Sequence, residues 1–86
     1  MVWAFIFVSA KVTEPCISKM EYGSNTIYTC GVNTVKQGAQ LAINLHDTEN
    51  CELVELCGGF GEEGARIVSE YTRGKVRIGF VQKFKQ

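Results

Sequence analysis

The 86-residue chain, with 45% hydrophobic and 21% charged residues, has room for one core only, because a chain this short buries just about 60 to 65% of the surface its unfolded form exposes. Its nine basic and nine acidic residues cancel, which leaves no overall field to gather nucleic acid, anionic lipid or a strongly charged substrate. The composition argues against a disordered chain, and residues 1–86 read as a single α/β domain.

The opening "MVWAFIFVSA" is apolar, yet it lacks the basic start and small-residue cleavage site of a signal peptide and is too short to span a bilayer. Its β-branched and aromatic run from Val2 to Ser9 describes a strand covered on both faces and therefore central in its sheet. The expected compartment is the cytoplasm, with no membrane partner. Next, Thr13, Glu14 and Pro15 provide a polar start with proline in a first helical turn, and Gly23 provides a stop. This predicts a short first helix carrying Ile17 and Met20.

"TIYTCGV", Thr26 to Val32, reads as a second strand. "TVKQ" follows as a capping box, in which the Thr34 hydroxyl accepts the Gln37 amide hydrogen and the glutamine side chain reaches back. The helix it opens repeats Val35, Ala39, Ala42 and Ile43 at helical spacing, with Leu41 and Leu45 beside them, and the loop "DTEN" closes it. Cys51 to Cys57 is the third strand. Gly61 to Arg73 is a third helix with Ala65, Val68 and Tyr71 inside and Gly74 as its stop. Lys75 to Phe84 alternates, Val76, Ile78 and Phe80 against Lys75, Arg77 and Gly79, as a strand with one exposed side. Its basic residues, with Arg73, Lys83 and Lys85, read as a solvated edge.

Strands and helices alternating in this way form βαβ units with right-handed crossovers. The expected fold is β-α-β-α-β-α-β, a small four-stranded parallel sheet in the order 2-1-3-4 with three helices, the first helix on one face and the other two opposite. One short helix cannot cover four strands. Part of its face beside the third and fourth strands is therefore expected to be bare, with Glu55 and Arg77 pairing across it.

The chemistry-bearing residues are few. Four cysteines, Cys16, Cys30, Cys51 and Cys57, stand at none of the short spacings of a zinc or redox motif, and there is one histidine, His46; no metal and no cofactor are expected. His46 suits the C-terminal end of its helix, at the sheet edge away from Cys57. The junction "VELCGGFGEEGARIVS", Val54 to Ser69, places three glycines at the exit of a parallel strand, where ligands of open α/β sheets bind. Gly58, Gly59, Phe60 and Gly61 are thus candidate ligand-binding residues for a small anion, a phosphate or carboxylate. Against that, Glu62 and Glu63 already occupy the first helical turn, and "CGGFG" matches neither GxGxxG nor a P-loop. Cys57, at a helix N-terminus, is the candidate nucleophile, with Glu55 as acid or base two residues before it on the same strand face. The crevice beside Ser9, Cys57 and Gly58 is expected to be shallow, with Phe60 at its mouth.

"FIFV", "VELCGGFGEEGARIV" and "KVRIGFV" together resemble a family of small prokaryotic proteins of unknown function, marked by an ELCGGFG-type turn between a strand and a helix. The residues matching that turn are Glu55, Leu56, Cys57, Gly58, Gly59, Phe60 and Gly61. The resemblance implies no activity, cofactor or catalytic residue. On this reading the chain is a non-enzymatic homodimer that covers its bare sheet face and exposed edge; a small-ligand module at residues 58–61 and an enzyme using Cys57 are the alternatives.

Overall fold

A computed structural model of the chain describes residues 1–81. The elements run β1 (Val2–Val8), β2 (Cys16–Tyr22), β3 (Asn25–Val32), α1 (Val35–Glu49), β4 (Leu53–Leu56), a single 3₁₀ turn (Gly58–Phe60), α2 (Gly61–Thr72) and β5 (Arg77–Phe80). They build one five-stranded sheet in the order β2-β3-β1-β4-β5. β3, β1, β4 and β5 are mutually parallel, and β2 is antiparallel to β3 at the edge.

The four strands expected to be parallel are therefore present and in the expected order, but the sheet is mixed and has a fifth strand. The expected first helix is absent. In its place Cys16–Tyr22 is β2, joined to β3 by a hairpin in which Tyr22 pairs with Asn25 around Gly23 and Ser24. Gly23 has φ +55°, a left-handed value at the first central position that suits glycine in a two-residue hairpin loop. The glycine that reads as a helix stop is a strand reversal.

This replacement decides which side of the sheet is covered. Right-handed crossovers put helices on the same face whenever successive connections move in the same direction across a sheet. The β3-α1-β4 and β4-α2-β5 connections both move toward β5, so α1 and α2 lie side by side on one face. The connection that would have moved the other way holds a strand instead of a helix, and the second face carries no helix among the described residues.

Local chemistry accounts for the helix ends. The Gln37 amide donates to the Thr34 hydroxyl at 3.1 Å, and the Gln37 side chain accepts from the Asn33 amide at 2.7 Å, one residue before the position a standard capping box reaches. Asn33 also donates to the carbonyls of Ala10 and Val12, which ties the β1–β2 connection to the start of α1. The "DTEN" segment is not a loop: α1 continues to Glu49, and Asn50 caps it in the left-handed region with φ +59°. α2 ends at Thr72, with Arg73 and Gly74 both left-handed. Lys83, Phe84 and Lys85, which the sequence assigned to the last strand and its basic edge, lie outside the described residues.

The core lies between the helices and one face of the sheet. Ala4 and Ile6 of β1, Cys30 and Val32 of β3 and Val54 and Leu56 of β4 are fully enclosed and meet Ala39, Ala42 and Leu45 of α1 and Val68 of α2. Tyr71, expected inside, is 45% exposed, and Thr72 is buried in its place; its hydroxyl donates back to the Ser69 carbonyl. Tyr28 closes the far end of the core, donating its hydroxyl hydrogen to Glu49 at 2.8 Å. That hydrogen bond, with burial, raises the tyrosine's pKa.

Burial pushes the Cys30 thiol from 9.0 up to about 11. An unfolded chain therefore loses this proton first, and between about pH 9 and about 11 the native state binds more protons than the unfolded one, so stability falls as pH rises. Cys30→Ala is expected to flatten that alkaline decline in urea-unfolding experiments; an unchanged slope would contradict the assignment.

Candidate functional site

The glycine junction begins where β4 stops. The Cys57 amide still donates to the Ile6 carbonyl at 3.0 Å, continuing the ladder with β1. The chain then tightens into one 3₁₀ turn, closed by the Phe60 amide on the Cys57 carbonyl and the Gly61 amide on the Gly58 carbonyl. Gly61 has φ +66° and ψ 178°, a conformation essentially restricted to glycine, and α2 follows at once.

This turn serves to drive Phe60 inward. The ring is 5% exposed and seats where α1 passes over α2: a Cβ on Gly38 would come within 2.8 Å of it, and one on Gly64 within 3.2 Å of the Phe60 Cβ. Phe60 is thus a wedge between the helices and does not stand at the mouth of a crevice. A Cβ on Gly59 would meet the Cys57 sulfur and Val8 at 3.3 Å, so the backbone lies close against the end of β1.

The candidate catalytic pair is not gathered at one point. The half-buried Cys57 Sγ leans toward β1 and accepts a weak hydrogen bond from the Val8 amide at 3.5 Å. The Glu55 carboxylate leans the other way, over Gly79 of β5, where an added Cβ would lie 2.7 Å from its Oε1. His46 sits in the last turn of α1, at the sheet edge where Glu52 joins Val2, with Nδ1 3.0 Å from Asp47. It stands at the opposite end of the strands from Cys57, as the sequence implied, so the thiol has no imidazole base. The first turn of α2 is acidic: Glu63 pairs with Arg66, which also holds Glu70 at 2.9 Å. An anion at the turn amides would meet the acidic first turn of α2, Glu62 and Glu63, which opposes it. Among the described residues no three of His, Cys, Asp and Glu gather as a metal site.

A depression of about 470 Å³ lies at the other end of α2, lined by Ile43, Glu70, Tyr71, Thr72, Arg73 and Lys75. The Thr72 hydroxyl is already used by Ser69.

The most distinctive surface is the helix-free face of the sheet. Register places Trp3, Phe5 and Phe7 of β1 on it, beside Ile27 of β3 and Leu53 of β4, all half-buried. Met20 and Tyr22 of β2 extend the patch and are 58% and 46% exposed. The Trp3 indole donates to the Tyr22 hydroxyl at 3.2 Å, spanning β3. The Phe7 ring occupies the space over Gly31, where a Cβ would sit 2.4 Å from it. Glu55 and Arg77 share this face at diagonal positions but form no ion pair among the described residues, contrary to the cross-strand pair expected from sequence. No motif in the sequence marks these aromatic residues as a site, and the signal for them lies in β1, whose apolar side chains point both ways.

Among the described residues no base stands beside Cys57, whose sulfur has the Val8 amide as its hydrogen-bond partner, and the thiol is expected to react with iodoacetamide at neutral pH no faster than free glutathione does. A faster reaction at Cys57 would restore the case for catalysis. Phe60→Ala is expected to cost about 3–5 kcal/mol of stability by emptying the wedge, and a loss below about 1 kcal/mol in urea unfolding would contradict that role.

No helix among the described residues is long and apolar enough to cross a membrane. Neither a curated protein nor a solved structure shows significant similarity to the chain. The sequence pattern of one family matches the whole length, residues 1–86, and the chain belongs to that family of unknown function, DUF6506.

Proposed function

We propose that this protein is a non-enzymatic module that works as a homodimer, with the helix-free sheet face of one copy covered by that of a second. One observation carries the reading. The β1 segment "VWAFIFV" has the composition of a strand covered on both faces, yet the helices cover only Val2, Ala4, Ile6 and Val8 and leave Trp3, Phe5 and Phe7 on the other side. A contiguous apolar patch of this kind on a small domain marks an interaction surface.

The size of the face fits a second copy. Five strands at about 4.8 Å spacing and of mean length near six residues give roughly 500 Å² in plan. Side-chain relief raises the accessible area toward the ~800 Å² per partner of a standard interface. Two such sheets stack about 10 Å apart with their strands near 30°, which yields a four-layer assembly with the helices outside. The edges suit this better than edge pairing does, since β2 presents Lys19 and Glu21 and β5 is only four residues long, both devices that discourage strand addition. A small-anion site at Gly58–Gly61 ranks below it, because Glu62 and Glu63 occupy the first turn of α2 and the Phe60 and Gly61 amides already have partners.

Sedimentation equilibrium at about 100 micromolar is expected to give twice the 9.5 kDa of one chain. Phe5→Glu is expected to give a folded monomer with an unchanged far-ultraviolet circular dichroism spectrum. A wild-type monomer at that concentration, or a Phe5→Glu variant that stays dimeric, would overturn the proposal.

A further inference from the structure

Resting on the self-association just proposed, we infer that the two copies stack with their strands running in opposite directions, so that Glu55 of each chain pairs with Arg77 of the other. The register of the sheet leads to this arrangement. Across the open face one row reads Met20, Ile27, Trp3, Leu53, Arg77 and the next reads Ser18, Thr29, Phe5, Glu55, Gly79. A two-fold axis lying between the sheets, perpendicular to the strands and midway between these rows, exchanges the rows. Trp3 then faces Phe5 of the partner subunit, and Arg77 of the partner subunit arrives over Gly79.

The space above Gly79 is where the Glu55 carboxylate already lies, in contact distance of the missing Cβ. The guanidinium therefore lands on a carboxylate held flat against the sheet by a residue without a side chain, and the two-fold repeats the contact. Such isologous reciprocity is required of a symmetric dimer. The alternative axis, parallel to the strands, sets Glu55 over the partner's Thr29 and Arg77 over the partner's Met20. That arrangement would bring an acid and a base against uncharged groups and pair neither, so it lacks the complementarity of the first. Opposite charges at the rim of an apolar interface fix register and exclude the wrong orientation.

The test mixes charge-reversed chains. Glu55→Arg alone and Arg77→Glu alone each place like charges against one another in a homodimer, and each is expected to weaken association at least about tenfold. In a mixture of the two variants both contacts become complementary, so a heterodimer is expected at near wild-type affinity, read by sedimentation or by native mass spectrometry. The double variant is expected to dimerise with itself. If a reversal unfolds the chain by circular dichroism, Glu55→Gln and Arg77→Gln carry the test: each is expected to weaken the dimer and to reduce its salt dependence. A dimeric wild type whose single variants associate normally, or whose mixture shows no preference for the heterodimer, overturns the pairing while leaving the dimer intact. A monomeric wild type overturns both.

Discussion

The handedness of strand crossovers governs this structure. Both helical connections move in one direction across the sheet, and right-handedness then places both helices on one face. Everything else follows from that. Ala4, Ile6, Val54 and Leu56 become fully enclosed, Phe60 has two helices to wedge apart, and the side chains of opposite parity on the same strands have no helix above them among the described residues. The connection from β1 to β3, which could place a helix on that side, is used for the β2–β3 hairpin instead, and the aromatic side of β1 carries no helix among the described residues.

Much of the fold is legible in the sequence because the signals are local or periodic. The Thr34–Gln37 cap and the apolar stripe of α1 follow from interactions a few residues apart, and the order of the four parallel strands follows from the continuous apolar run of β1, which makes it central, with right-handed crossovers. β2 was not legible for a physical reason. Every residue from Cys16 to Tyr22 is exposed, so no buried face imposes the two-residue alternation by which strands are recognised. Thr13-Glu14-Pro15 and Gly23 then read as helix punctuation, although Gly23-Ser24 between two β-forming segments is equally a hairpin signal. The difference rests on tertiary pairing with β3, which composition does not record.

The glycine junction was located correctly as a strand-to-helix turn, but its chemistry is set by direction, which spacing does not encode. Parity would put Glu55 and Cys57 on one strand face, yet β4 ends at Leu56: the Cys57 side chain packs against the core and toward the Val8 amide, while the Glu55 carboxylate lies over Gly79. Phe60 turns into the core, and the turn that carries it explains the glycines around it without a ligand. The charged pair on the open face was legible as to residues and not as to partner: Glu55 and Arg77 do share one surface, diagonal to each other, and the contact sought within the chain is geometrically open to a second chain.

The most direct measurement of whether that face is covered uses the chain's single tryptophan, Trp3, which lies at its centre. Its fluorescence emission, followed together with mass as the protein is diluted from about 100 micromolar to below the dissociation constant, reports whether the indole passes from an apolar interface to water. The account predicts a red shift of emission that tracks the fall in mass from dimer to monomer. An emission maximum that stays constant while the mass halves would place the interface elsewhere and contradict it.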